Sequence, residues 1–138
     1  MNKLIYGYGV TGKAVEAFFN KRNIPYKIFD EKLNDNYDNK VVKDELLKEN
    51  FDEVILSPGI QENNEILNLL RNKNVSVITD IDLFAKYHKQ KSKLIGVTGT
   101  NGKTTFVKLL SDFLDLEGFK TKACGNIGES PLSIVDGD

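Results

Sequence analysis

Leu4-Ile5-Tyr6-Gly7-Tyr8-Gly9-Val10-Thr11-Gly12-Lys13 (LIYGYGVTGK) is the stretch that decides the fold. A short apolar run leads into G-x-G-x-x-G, and residues 12–21 (GKAVEAFFNK) follow with Val15, Phe18 and Phe19 at the three-four spacing of one helical face. Strand, glycine turn and helix in this order predict a mononucleotide-binding unit of a Rossmann-like sheet. Each glycine has its own task. Gly7 permits the tight turn, Gly9 lets backbone approach a diphosphate, and Gly12 lets the helix pack on the strand. The helix start offers free N–H groups and the positive end of a dipole to an anion. Asp30 closes the next apolar run (Tyr26 to Asp30), where such folds place an acidic residue near a ribose hydroxyl. A nicotinamide dinucleotide and a UDP-linked sugar both fit such a cradle, and a glycine turn used only for packing remains the plain alternative.

Outward from this unit the pattern keeps alternating. Asn34 to Asn39 is loop chemistry, and Asp44 to Glu49 is a short helix. Glu53 to Leu56 is a strand ending in Ser57-Pro58-Gly59, and Glu65 to Lys73 is a helix. Val75 to Thr79 is a strand, and Ile81 to Tyr87 a helix with Asp80 as its N-cap. Such alternation with short connections predicts an α/β fold, with a parallel sheet covered by helices on both faces, over residues 1–91. A second unit begins in residues 92–138: strand Lys93 to Val97, a glycine loop, helix Thr104 to Leu116, strand Thr121 to Cys124. It is too short to bury both faces of a sheet of its own, so it is expected to dock on the first unit or to be poorly ordered.

The loop Gly96-Val97-Thr98-Gly99-Thr100-Asn101-Gly102-Lys103-Thr104-Thr105 is the more specific signal. A phosphate-binding loop surrounds the β-phosphate with backbone N–H groups. Its lysine, here Lys103, reaches the β- and γ-phosphates, and the Thr104 hydroxyl is a candidate Mg²⁺ ligand. The general pattern G-x-x-x-x-G-K-[ST] would need glycine at position 97, where this chain has Val97; its glycines stand at 96, 99 and 102. The loop is therefore not that of a generic kinase or GTPase.

Composition narrows the setting. The 138 residues are 40% hydrophobic and 28% charged, the balance of an ordinary globular chain. A net charge of −1 gives no electrostatic footprint for nucleic acid or an anionic membrane surface. The basic cluster Lys86 to Lys93 falls between structured runs and is taken as a solvated linker, with His88 at its surface. Cys124 is the only cysteine, so no internal disulfide can form, which fits a reducing compartment; it is expected to be a small buried residue on a strand. The N-terminus lacks the features of a signal peptide, and no apolar stretch approaches the roughly 20 residues that span a bilayer. A cytoplasmic monomer without nucleic acid or membrane partners is the expectation.

Taken in order, Gly7 to Gly12, Asp30, Ser57-Pro58-Gly59-Ile60, Asp80-Ile81-Asp82-Leu83-Phe84, Gly99 to Thr105 and Gly125-Asn126-Ile127-Gly128 resemble the Mur ligase family, and within it the members that add D-glutamate. The likeness covers the whole chain. It implies a three-domain cytoplasmic enzyme of peptidoglycan synthesis, with a UDP-muramoyl-binding first domain, a central ATP domain and a last domain for the amino acid. ATP with Mg²⁺ would phosphorylate the carboxylate of UDP-N-acetylmuramoyl-L-alanine, and the amine of D-glutamate would attack the acyl phosphate.

The resemblance also implies residue roles. Gly9, Val10, Thr11 and Gly12 would meet the UDP phosphates. Asp30 and Glu31 match a uracil-recognising pair, with Glu31 standing where the family often has threonine. Ser57, Pro58 and Gly59 would line the path of the UDP-sugar, and Asn126 would reach the muramoyl nucleotide from the central domain. Gly99, Thr100, Asn101, Gly102, Lys103, Thr104 and Thr105 would hold ATP, with Lys103 stabilising charge on the transferring phosphoryl group. Each has a plain structural alternative: Asp30 as a strand cap, Ser57 to Gly59 as a turn, Asn126 as a turn asparagine. The family's metal-binding glutamate, histidine and carbamoylated lysine would lie downstream of residue 138, so this chain is expected to be an inactive N-terminal fragment. The L-alanine-adding enzyme, an NAD(P)-dependent oxidoreductase and a nucleotide-sensing module are the competing identities.

Overall fold

The structure is a computed structural model that describes residues 2–88, 93–125 and 129–135. Its centre is a parallel sheet of four short strands: β1 (Lys3–Tyr6), β2 (Tyr26–Phe29), β3 (Glu53–Leu56) and β4 (Ser76–Ile78), in the order β2-β1-β3-β4. Helices α1 (Val10–Lys21), α2 (Lys43–Leu46), α3 (Glu65–Asn72) and α4 (Asp80–Tyr87) connect or follow the strands. A further helix, α5 (Lys103–Leu116), precedes a 3-10 turn at Pro131–Ile134.

Register explains why every strand is apolar on both sides. Ile5 lies opposite Ile28 and Ile55, and Ile55 opposite Ile78, so one row of isoleucines shares a face. That face packs on Val15, Phe18 and Phe19 of α1 and on Leu83 and Phe84 of α4. The alternate residues Leu4, Tyr6, Val54 and Leu56 turn to the other face, against Leu46 of α2 and Ile66, Leu67 and Leu70 of α3. With both faces covered, the strands read as continuous apolar runs.

The charged residues at the strand starts are also explained. Lys3 and Glu53 are buried and pair at 3.0 Å, and Lys86 of α4 reaches the other oxygen of Glu53 at 3.0 Å. This triad ties β1, β3 and α4 together at the amino end of the sheet. Lys86 is thus part of the last turn of α4 and not of a linker, and His88, stacked on Phe84 at 4.8 Å, is half-buried.

Other expectations also need correction. Thr79, not Asp80, caps α4: its side chain accepts from the Asp82 N–H, while the Asp82 carboxylate accepts from the Thr79 N–H at 2.8 Å. The expected strands at 93–97 and 121–124 do not form among the described residues; Cys124 makes a single bridge with Glu129 and is half-buried. A strand needs a partner for its N–H and C=O groups, and these two runs find no neighbouring ladder. Docking takes another form. Leu132 is buried in the isoleucine-face core, and the 3-10 turn packs on α1 and α4, whereas no residue of α5 is buried.

Candidate functional site

Chain order creates the site. From β1 the chain steps outward to β2, then returns to the other side of β1 to form β3. The connections leaving β1 and β3 therefore diverge at their carboxyl ends, where open α/β sheets place their ligands. The loop Gly7–Gly12 leaves β1 there, Asp30 follows β2, Ser57–Gly59 follow β3, and Thr79–Asp80 follow β4.

The three glycines of the first loop differ in their surroundings. Gly7 adopts φ +91, and a Cβ on it would lie 2.9 Å from Ser57 Cβ. A Cβ on Gly12 would lie 2.2 Å from the Gly7 carbonyl oxygen. Gly9 is different: nothing lies within 4 Å of the place its Cβ would take. The outer glycines serve packing, and the middle one leaves open space over the backbone.

Gly9 is also the N-cap of α1, and no side chain closes that helix end. The first turns of α2, α3 and α4 all carry carboxylates, but those of α1 and α5, the two helices that follow glycine loops, carry none. These two helices leave the positive end of the dipole unanswered by their own side chains.

Asp30 is engaged with backbone. Its Oδ2 accepts the Tyr8 N–H at 2.6 Å, and its Oδ1 accepts the Lys32 N–H at 2.8 Å. The strand-capping alternative is thus present in full, and Glu31 stands exposed in the turn beside it. Ser57 is buried, and its hydroxyl donates to the Gly7 carbonyl at 2.8 Å, binding the β3 turn to the β1 loop. Pro58 and Gly59 are exposed in a turn closed by the Ile60 N–H on the Ser57 carbonyl at 3.0 Å.

A cleft of about 250 Å³ opens above these loops, lined by Val10, Thr11, Pro58, Asp80, Gly125 and Ser130 among others. Val10 is 85% exposed, an apolar side chain with no packing role of its own. Burial pushes the Asp80 carboxyl up, and the neighbouring Asp82 charge adds to this. Asn126 lies outside the described residues; Gly125, next to it in sequence, is on the cleft wall.

The second loop stands apart from this cleft. Gly99 (φ +153) and Gly102 (φ +76) adopt left-handed conformations that favour glycine. Lys103 begins α5, and its amine donates to the Gly99 carbonyl, so the loop is closed on its own lysine. Thr100, Asn101, Thr104 and Thr105 are exposed. Among the described residues no cluster of three or more His, Cys, Asp or Glu side chains could hold a metal.

Sequence reasoning missed the tyrosine hydroxyls around Glu16. Tyr8 and Tyr26 donate to its carboxylate, and the Tyr37 hydroxyl sits 3.2 Å from it. The available signal was a bulky polar residue between two loop glycines, with an acidic residue two turns along the helix that follows.

No family model matches the chain. Curated relatives do. A UDP-N-acetylmuramoylalanine–D-glutamate ligase of Buchnera aphidicola (from Schizaphis graminum) is 34% identical over 142 residues, covering 96% of this chain and 32% of the relative. Ligases of the same name from Rickettsia bellii and Francisella philomiragia are 36% and 35% identical, over 90% and 96% of the chain and 29% and 30% of their own lengths. The chain thus spans about a third of the length of the curated relatives it matches. Among the described residues, no helix is long and apolar enough to cross a membrane. Over nearly all of its length, this chain is homologous to an N-terminal part of the UDP-N-acetylmuramoylalanine–D-glutamate ligases.

Proposed function

We propose that this chain is the substrate-holding front part of an ATP-dependent ligase that joins D-glutamate to UDP-N-acetylmuramoyl-L-alanine in cytoplasmic peptidoglycan synthesis. Residues 1–91 hold the UDP-muramoyl substrate, and residues 92–138 begin the ATP-binding domain. The observation that carries this is the pair of glycine loops, in the family's order, in a chain alignable to these ligases over 96% of its length. A dehydrogenase would have no use for the second loop.

The geometry supports a division of labour. The N–H groups from Gly9 to Gly12 receive the diphosphate, because Gly9 leaves room above the backbone and α1 has no carboxylate in its first turn. Thr11 adds its hydroxyl, Pro58 and Gly59 border the sugar, and Asp30 and Glu31 hold the uracil side at the end of β2. Asn126, by the family resemblance, would meet the muramoyl nucleotide. Ser57 acts from behind by holding the two loops together.

The second loop suits a nucleoside triphosphate. The free N–H groups at the start of α5 and the left-handed Gly102 form an anion cradle, and the Lys103 amine now rests on a carbonyl that a phosphate oxygen could replace. Gly99 to Thr105 would hold the phosphates and the Thr104 hydroxyl the Mg²⁺ ion. When bound, Mg-ATP supplies the phosphoryl group that activates the muramoyl carboxylate.

Amide NMR titrations test this with UDP-N-acetylmuramoyl-L-alanine, NADH and Mg-ATP in separate samples. The expected result is shifts at Gly9 to Gly12 and at Ser57 and Gly59 with the UDP compound, and none with NADH. Saturable NADH binding at the same loop, without response to the UDP compound, would replace the ligase by the dehydrogenase. Incubated with all three ligase substrates, residues 1–138 alone should form no amide; any amide product would show that the catalytic groups lie within them.

A further inference from the structure

Tyr8 stands between Gly7 and Gly9, residues with little conformational preference of their own. It is therefore the one side chain able to anchor this part of the first loop. Its N–H donates to Asp30 Oδ2 at 2.6 Å. Its hydroxyl bonds both to Glu16 Oε2, within α1, and to the Tyr37 hydroxyl, in the segment between β2 and α2. The Tyr37 hydroxyl oxygen also lies 3.2 Å from Glu16 Oε2, and Tyr26 of β2 donates to Glu16 Oε1 at 2.9 Å. The Tyr8 and Tyr37 rings meet at 5.1 Å. One carboxylate thus gathers hydroxyls from the glycine loop, from β2 and from the following loop. Burial, reinforced by the Glu16 bond, raises the Tyr8 hydroxyl above its ordinary titration range; a phenol is a donor at neutral pH even without that shift.

We propose that Glu16 and Tyr8 are positioning residues for the first glycine loop, their hydrogen bond presetting the N–H groups of Gly9 to Thr11 for the diphosphate of a UDP-sugar. This rests on the substrate proposed above. Neither side chain need touch the ligand. Without the bond, a segment flanked by two glycines must be ordered as the ligand arrives, and that entropy is subtracted from affinity.

The test titrates UDP-N-acetylmuramoyl-L-alanine into residues 1–138 by amide NMR, for wild type, Glu16→Ala, Glu16→Gln, Tyr8→Phe and Lys86→Met. Glu16→Ala and Tyr8→Phe should weaken binding about tenfold, the scale of one lost hydrogen bond. Their free-state amide signals at Gly9 to Thr11 should shift or broaden. Glu16→Gln should recover most of the affinity, because its amide oxygen still accepts from Tyr8. Lys86→Met removes an ion pair at the opposite end of β3 and should leave the dissociation constant unchanged. Wild-type affinity in Glu16→Ala would overturn the positioning role alone. An equal loss in Lys86→Met would overturn it too, by showing that affinity follows general stability. Absence of wild-type binding would overturn both the role and the substrate.

Discussion

A methyl group added at Gly12 and one added at Gly9 should have opposite consequences. Gly12→Ala would place its Cβ 2.2 Å from a backbone oxygen, so α1 or the loop must move. A cost of about 1–3 kcal/mol is expected in urea unfolding, the range for overpacking. Gly9→Ala meets nothing within 4 Å and has an ordinary backbone angle, so stability should change by less than about 0.5 kcal/mol while affinity for the UDP compound falls. Unchanged affinity in Gly9→Ala would mean that no ligand backbone contact is made there. Glu53 is the other residue whose environment makes a firm demand. Burial alone would raise its carboxyl, but hydrogen bonds and charge from Lys3 and Lys86 outweigh burial and hold it below its ordinary 4.5. A carboxylate depressed in the folded state stabilises the fold above its unfolded pKa. That contribution is lost as pH falls below about 4.5 through the folded value. Glu53→Gln should therefore flatten the acid limb of the stability curve, and at neutral pH cost about 3 kcal/mol by leaving Lys3 buried without its partner charge. An acid limb unchanged in Glu53→Gln would show that other carboxylates control it.

At the scale of elements, α4 depends on its cap. Thr79 and Asp82 satisfy each other's N–H groups in a reciprocal box, and the Thr79 bonds hold the Asp82 carboxyl below its usual range. Thr79→Ala should cost about 1 kcal/mol, read as a lower urea midpoint with an unchanged slope. A slope that falls with the midpoint would instead indicate loss of two-state unfolding. This cap also shows what sequence could and could not reveal. The apolar pattern at Leu83 and Phe84 identifies α4 and its buried face. However, Thr79 and Asp80 are both good N-cap residues, and only backbone geometry selects between them. The four strands were legible because each is apolar on both faces, a pattern that belongs to a covered parallel sheet. Lys93 to Val97 has the same local pattern, yet it is no strand, because pairing depends on a distant partner that local sequence does not encode. Backbone geometry was legible wherever glycine marks a turn, at Gly7 to Gly12 and Gly99 to Gly102. The candidate site was not legible where long-range hydrogen bonds decide a side chain's task. Ser57 turns inward to the Gly7 carbonyl, and Glu16 gathers tyrosines from three segments.

Across the whole molecule, packing is unequally distributed. Phe19, Leu67 and Leu83 are fully enclosed within the sheet-centred core, and Leu132 joins it from the 3-10 turn. By contrast α5 buries no residue, although its sequence is amphipathic: Phe106, Leu109 and Phe113 are 55%, 64% and 57% exposed. A 14-residue helix that buries no residue, with Ser111 and Asp115 bonded to Thr121 just beyond its end, is close to the limit of independent stability in water, since nucleation is unfavourable and propensity alone contributes little. Two consequences can be measured on residues 1–138. Phe113→Ala should change unfolding free energy by less than about 0.5 kcal/mol, while Phe19→Ala should cost about 3–5 kcal/mol. Amide hydrogens of Phe106 to Leu116 should exchange through local opening long before those of β1 and β3, which report global unfolding. Equal protection in α5 and the sheet, together with a large loss in Phe113→Ala, would require that the apolar face of α5 be buried in solution. With the unequal pattern, the Gly7–Gly12 loop rests on a well-packed sheet and the Gly99–Gly102 loop on a helix that buries no residue; under the function proposed above, UDP-compound binding should therefore survive mutations in α5 that abolish any response to Mg-ATP.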